Sequence, residues 1–414
     1  MTAPSLDELV RTEGGRVLAT LIRMTGDFDI AEDAVQDAIV AALEAWPRTG
    51  VPDNPGAWLT TAARRKALDR IKRESGRRDR EGAATALLAD ASGEGVAAAS
   101  RADSAVRDDL LRLIFTCCHP ALSFEAQVAL TLRTVCRMTT TDIAAVFLVP
   151  EATMGQRISR AKKKIAVARI PYRVPEDYEL PDRLRAVLAV LQAVFTAGHH
   201  ATTGDVVVRV DVAAEAIRLT RVLTDLVPDE PECTGLLALM LATDARRSTR
   251  VDESGDVVLL ADQDRTRWDG DAIAEASALV ERALHRRRPG PYQIKAAIAC
   301  LHGLASSWED TDWPQIAELY SLLEHHEPTP VVRVNRAVAE AELNGPVAGL
   351  AMLDGLAGVE GWYLYWSTKA DFLRRLEQWD EAASCYRHAL ACGGGNDADR
   401  RFLGRRLDEV TSRR

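Results

Sequence analysis

The sequence predicts an all-α protein built from several helical units, and three observations carry that reading. Apolar residues recur at three- and four-residue intervals almost throughout, which lines one face of an α-helix. Strand-like alternation is confined to Val206–Val210 and Val257–Leu260. Toward the C-terminus a helical pattern recurs at a spacing of about 34 residues, as stacked helix pairs do. A chain of 414 residues should hold two or more domains. Its 47% hydrophobic and 27% charged residues are those of a globular protein, which excludes wholesale disorder.

The first helical unit is expected over residues 1–74. Asp29 suits a helix N-cap, and Glu32 three residues on completes a capping-box pattern. Behind that cap, Ala31, Ala34, Val35, Ala38 and Ala42 form an apolar stripe, while Asp33, Gln36 and Asp37 share a different face. Asn54-Pro55-Gly56-Ala57-Trp58-Leu59 then leads into a basic helix bearing Arg64, Arg65, Lys66, Arg70, Lys72 and Arg73. Residues 75–104 are rich in Ala, Gly and Ser with scattered charges, the composition of a flexible linker.

The second unit, 105–172, ends in a helix-turn-helix pattern. Asp142–Phe147 is its first helix, Leu148-Val149-Pro150 the turn, and Glu151 to about Ile165 the second helix. Met154, Ile158, Ala161 and Ile165 give that helix a core stripe, leaving Thr153, Gln156, Arg157, Arg160, Lys163 and Lys164 for the outside. Arg and Gln suit base edges in a major groove, and Lys and Thr suit phosphates. Pro150 fits a helix start, where its missing N–H costs nothing. Gly155 costs about 1 kcal/mol relative to Ala. Pro171, Pro175 and Pro181 mark the boundary to a helical extension, 173–414. Within it, Trp313–Tyr320, Leu343–Leu353 and Leu376–Leu390 echo one another, which places tetratricopeptide-like repeats at about 290–395.

Net charge is −9, so the chain does not coat itself in DNA, but the charge is segregated. Thr61–Arg80 holds nine basic and three acidic residues, and Met154–Arg173 seven basic and no acidic ones. Two basic patches in an acidic protein suit local nucleic-acid contact. No apolar run reaches bilayer-spanning length, and Met1–Val10 lacks the pattern of a signal peptide, so a cytoplasmic location without membrane contact is expected. The seven cysteines form no C-x-x-C pair and suit buried, reduced thiols rather than metal ligands. The sequence contains no phosphate loop and no paired nucleophile and base, so neither catalysis nor a cofactor is expected.

Together, the capped acid-amide helix, the Asn54–Leu59 segment with its basic helix, and the helix-turn-helix resemble regions two and four of extracytoplasmic-function sigma factors. The resemblance covers about Leu6 to Ile170, and segments like sigma regions one and three are missing, as in that group. It implies a protein that binds core RNA polymerase, reads a two-part promoter and helps melt the minus-ten region. By the same resemblance, Asp33, Gln36 and Asp37 would dock on the β′ clamp helices, and region four would meet the β flap. Asp53 and Asn54 would lie in the loop that captures a flipped minus-ten base. Arg64, Arg65, Lys66, Arg70, Lys72 and Arg73 would neutralise phosphates there. Thr153, Gln156, Arg157, Arg160, Lys163 and Lys164 would meet the minus-thirty-five element, and the linker would lie in the polymerase cleft. Trp58 is expected to pack in the core.

The extension resembles that of one subgroup of these factors. Its segment Asp244–Arg247 with Asp262-Gln263-Asp264-Arg265 makes either a polar pocket or an ionic network. A regulatory role is expected of it, with a protein or peptide signal held by the repeats. Two other readings account for parts of the sequence: a helix-turn-helix regulator with a repeat sensor domain, and a repeat scaffold without sigma activity.

Overall fold

The computed structural model describes residues 6–74, 109–147, 149–176, 178–199, 206–393 and 397–413. The expected linker, Leu148 of the expected turn and the side chain of Arg73 lie outside the described residues. The chain divides into two compact units, with the boundary between Val194 and Phe195.

The first unit opens with α1 (Leu6–Thr25), α2 (Phe28–Thr49) and α3 (Pro55–Glu74). These three helices pack on one another, and Ala31, Ala34, Val35, Ala38 and Ala42 are all buried, as their spacing requires. The cap of α2 differs from expectation. Asp27 accepts the Asp29 and Ile30 N–H groups at 2.8 and 3.0 Å, so the helix starts one position before Asp29. Gly26 at φ +66° turns the chain back sharply enough to put Asp27 there. Asp29 and Glu32 are thereby released for another task. Trp58 is half-buried and packs edge-on against buried Trp46, 5.5 Å between ring centres.

Helix α4 (109–117), α5 (Phe124–Thr134), α6 (Thr140–Val146) and α7 (Glu151–Val167) follow, and α8 (Leu180–His199) crosses the division between units. The Cys117 and Cys118 thiols are buried 3.1 and 3.7 Å from the hydroxyls of Thr134 and Thr131, joining α4 to α5.

In the second unit, α9 (Val206–Leu226), α10 (Pro231–Asp244), α11 (Gly270–Leu284) and α12 (Pro291–Leu304) are followed by α13 (Trp313–His326), α14 (Pro330–Asn344), α15 (Pro346–Leu353), α16 (Tyr363–Arg375), α17 (Trp379–Ala391) and α18 (Asp397–Ser412). Val206–Val210 is helical, and Val257 forms only an isolated bridge to Val251, so neither alternating segment is a strand. From α12 onward each helix packs on the next, the arrangement the repeat spacing predicts. Gly349 shows why small residues recur: a Cβ there would lie 2.7 Å from both Ala341 and the Phe372 ring. Val334, Ala337, Leu353, Tyr365 and Phe372 close over that contact as a shared core.

Candidate nucleic-acid interface

Helix α7 is the second helix of the helix-turn-helix. Pro150, at φ −59° and ψ 144°, forms its N-cap position, and its carbonyl accepts the Met154 N–H at 3.1 Å. Met154, Ile158, Ala161 and Ile165 are buried against the unit, which fixes the rotation of the helix about its axis. That rotation leaves Thr153, Gln156, Arg160, Lys163 and Lys164 exposed. Arg157 is half-buried, with its guanidinium 5.5 Å from the centre of the Phe147 ring. Such stacking pre-orients an arginine at the cost of some freedom to reach.

A further flank of α7 faces α2. Lys162 Nζ lies 2.9 Å from both Asp29 Oδ1 and Glu32 Oε1, and Arg133 Nη2 is 4.0 Å from Glu32. The Lys162 and Glu32 side chains are only 14% and 12% exposed, so this is a buried ion pair rather than a solvated one. Two more contacts reinforce it. Tyr172 donates its hydroxyl to the Ala19 or Asp109 carbonyl oxygen, at 2.8 and 3.0 Å. A Cβ on Gly15 would fall 2.6 Å from the Val135 carbonyl oxygen, so α1 approaches the end of α5 at backbone distance. A cavity of about 700 Å³ lies beside these contacts, lined by Asp29, Glu32, Gly155, Ser159, Lys162 and Tyr172 among others.

On α2, Gln36 and Asp37 are exposed, whereas Asp33 is half-exposed and ion-paired with Arg70 at 2.6 Å. Two of the expected site residues, from different groups, thus bind each other. Val40 and Leu43 extend the Gln36–Asp37 face and are 53% and 50% exposed. Sequence reasoning passed over them, although large apolar residues off the core stripe of an amphipathic helix are a readable signal. Asp53 and Asn54 are exposed in the turn before α3, where the Asn54 side-chain oxygen accepts the Ala57 N–H at 3.0 Å. Asn54 is therefore also a helix cap. Arg65, Lys66 and Lys72 are exposed on α3, and Arg64 is half-buried with its Nη2 enclosed.

The comparisons with known proteins match this layout in order. Sigma-70 region 2 matches residues 9–77, and sigma-70 region 4 matches residues 112–165. The probable ECF RNA polymerase sigma factor SigI of Mycobacterium tuberculosis is 34% identical over 149 residues, 36% of this chain and 50% of that protein. The chain belongs to the extracytoplasmic-function sigma-factor family, with a C-terminal extension. An uncharacterized protein of Rhizobium meliloti is 41% identical over 399 residues, 96% of this chain and 94% of its own, so the extension is shared. Residues 183–284 match a family of unknown function, DUF6596. No solved structure matches. Sigma regions two and four imply core RNA polymerase and promoter DNA as the partners of this sigma factor. Among the described residues no helix is long and apolar enough to cross a membrane.

Proposed function

We propose that this sigma factor directs promoter-specific initiation through three surfaces and is regulated by its C-terminal extension. Gln36, Asp37 and the adjoining Val40 and Leu43 form the contact with the β′ clamp helices, with Asp33 at its edge. Asp53 and Asn54 take the flipped base of the minus-ten element, while Arg64, Arg65, Lys66, Arg70, Lys72 and Arg73 hold phosphates beside it. Thr153, Gln156, Arg157, Arg160, Lys163 and Lys164 meet the minus-thirty-five element, and region four meets the β flap. The single observation that best supports this reading is α7. Its core stripe is buried while five of its six candidate DNA-facing side chains stay exposed, the disposition a groove-reading helix needs.

Run-off transcription with core polymerase tests the proposal. The shortened form should end after Val194, because α8 up to that point belongs to the first unit and Arg183 bonds to the Phe115 carbonyl there. Full-length protein should yield promoter-dependent transcripts, and residues 1–194 should change their level in one direction at equal amounts of folded protein. Absence of promoter-dependent transcripts from both forms overturns sigma activity. Indistinguishable output from the two forms overturns regulation by the extension.

A further inference from the structure

The polar segment after α10 resolves into a network that carries an arm. Arg247 bonds to Asp244, Gln263 bonds to the Val258 carbonyl and Thr249, and Trp268 donates its indole N–H to Thr249. From this base, residues 250–258 fold back on themselves. The Val258 N–H donates to the Arg250 carbonyl at 2.9 Å, and Val251 bridges to Val257. At the tip Gly255 takes φ +75°, and the Asp252 carboxylate accepts the Ser254 and Asp256 N–H groups, both at 2.9 Å. The turn is thus closed by its own side chain-to-backbone bonds and keeps its shape without help from elsewhere.

The arm nevertheless lies against α18. Arg401 Nε is 2.6 Å from Asp256 Oδ1, Arg405 pairs with Asp256 Oδ2, and Arg401 also donates to the Gly255 carbonyl at 3.0 Å. Beside that clamp, Val257, Val258 and Leu259 share a cleft of about 390 Å³ with Phe402, Arg405 and Arg406. Leu259 and Phe402 also line a larger cavity of about 690 Å³, together with Trp308 and Trp313. Val257–Leu260 is an unbroken apolar run, yet every residue in it is only half-buried. The Arg401 and Arg405 side chains are 49% and 51% exposed, and ion pairs in such positions add little to stability. The arm occupies its seat without filling it, on contacts of the kind that open first in a fold.

We propose that Arg401, Phe402 and Arg405 form a docking surface for an extended segment of a partner protein, an acidic residue followed by bulky apolar ones, and that the arm holds this surface in cis until such a segment displaces it. The arm itself shows the chemistry the surface accepts: a carboxylate held by two guanidiniums, with apolar side chains continuing beside Phe402. A partner with larger residues than Val257 and Val258 gains the burial that the cleft leaves open. That gain offsets the arm's advantage of being tethered. The purpose of the site rests on the regulatory role proposed for the extension; its test reads binding alone, so failure of the one is told apart from failure of the other.

Fluorescence anisotropy on the full-length protein tests this with two labelled peptides: the arm's own sequence, residues 252–261, and its Val257→Leu/Val258→Leu form. Asp256→Lys in the protein should repel Arg401 and Arg405 and free the surface. That variant should bind the leucine peptide saturably and several-fold tighter than the plain one, and the parent should bind it roughly tenfold more weakly. Asp256→Lys made in the peptide should abolish binding. Arg401→Glu added to the Asp256→Lys protein should re-seat the arm and shut the peptide out. Should Asp256→Lys fail to fold, Asp256→Ala removes the same pair with less disruption and should show the same order. No saturable binding by a freed variant, equal binding by parent and freed protein, no preference for the leucine peptide, or equal binding of the peptide with its charge reversed overturns the proposal. A parent protein that dimerises on concentration, with Asp256→Lys abolishing the dimer, also overturns it and assigns the surface to a second copy.

Discussion

Lys162, in the second helix of the helix-turn-helix, lies 2.9 Å from Glu32 in α2, and both side chains are almost fully enclosed. Regions two and four are therefore joined by a buried charge pair within one compact unit, 130 residues apart in sequence. The flank of α7 that carries Lys162 is committed to this contact. Of the seven basic residues in Met154–Arg173, Lys162 serves region two and Arg173 serves Glu176 and Glu179. The charge offered outward by that stretch is smaller than its composition implies.

Breaking this pair on one side should be costly. Lys162→Met leaves the enclosed Glu32 carboxylate to the more distant Arg133, 4.0 Å away, and to Arg137, and should lower local stability by about 3 kcal/mol. Adding Glu32→Gln in the same chain should recover most of the loss. Hydrogen exchange at α2 and α7 amides reads this directly. Strictly additive effects would show that the two groups do not interact.

Polymerase binding should respond most cleanly to Asp37 and Val40. Asp37→Arg and Val40→Asp change exposed positions, so association with core enzyme should weaken several-fold without unfolding. Asp33→Arg is a compound change, because it also removes the Arg70 pair, worth up to about 1 kcal/mol. Correctly folded Asp37→Arg/Val40→Asp protein that binds core polymerase as tightly as the parent would remove α2 from the contact.

On α7, Gln156→Ala should relax preference at one upstream promoter position, costing about 1–3 kcal/mol there. Lys163→Ala or Lys164→Ala should weaken all sequences alike and flatten the salt dependence. Arg157→Lys tests the Phe147 stack: if that stack aims the guanidinium, the substitution should lose sequence preference while keeping most of the affinity. Equal losses on every promoter for all four variants would make α7 a phosphate-binding helix that reads no bases.

His302 gives the second unit a pH dependence of known sign. Burial, together with Arg246 and Arg265, pushes it from 6.5 down to about 4. The unfolded chain therefore binds a proton between those values that the folded chain refuses, and stability falls as pH drops through that window. The loss should be on the order of 2 kcal/mol. His302→Gln should flatten unfolding between pH 6.5 and 5, where most carboxylates are still ionised. An unchanged slope would place the dependence elsewhere.

Much of this protein was legible from local pattern alone. The spacing of Met154, Ile158, Ala161 and Ile165 set which face of α7 is buried, because a helix with one apolar stripe has one way to satisfy it. The same logic fixed α2 and the stacked repeats. The cap of α2 was misplaced by two residues, since Asp27 and Asp29 are chemically equivalent and only the turn at Gly26 distinguishes them.

What local pattern does not contain is the identity of long-range partners. Asp33 with Arg70, Glu32 with Lys162, and Arg157 with Phe147 each turn a residue that looks available into one that is engaged. Those pairings depend on how helices cross, which is set by contacts such as Gly15 against the Val135 carbonyl and Gly349 against Phe372. The same holds for Arg246, Arg265 and His302, spread over more than fifty residues, whose unmet hydrogen bonds exist only once packing has excluded water from them. Sequence determined which helices form and which faces they bury; tertiary structure decided which charges cancel and which are left over, because electrostatic energy depends on distance and burial rather than on composition.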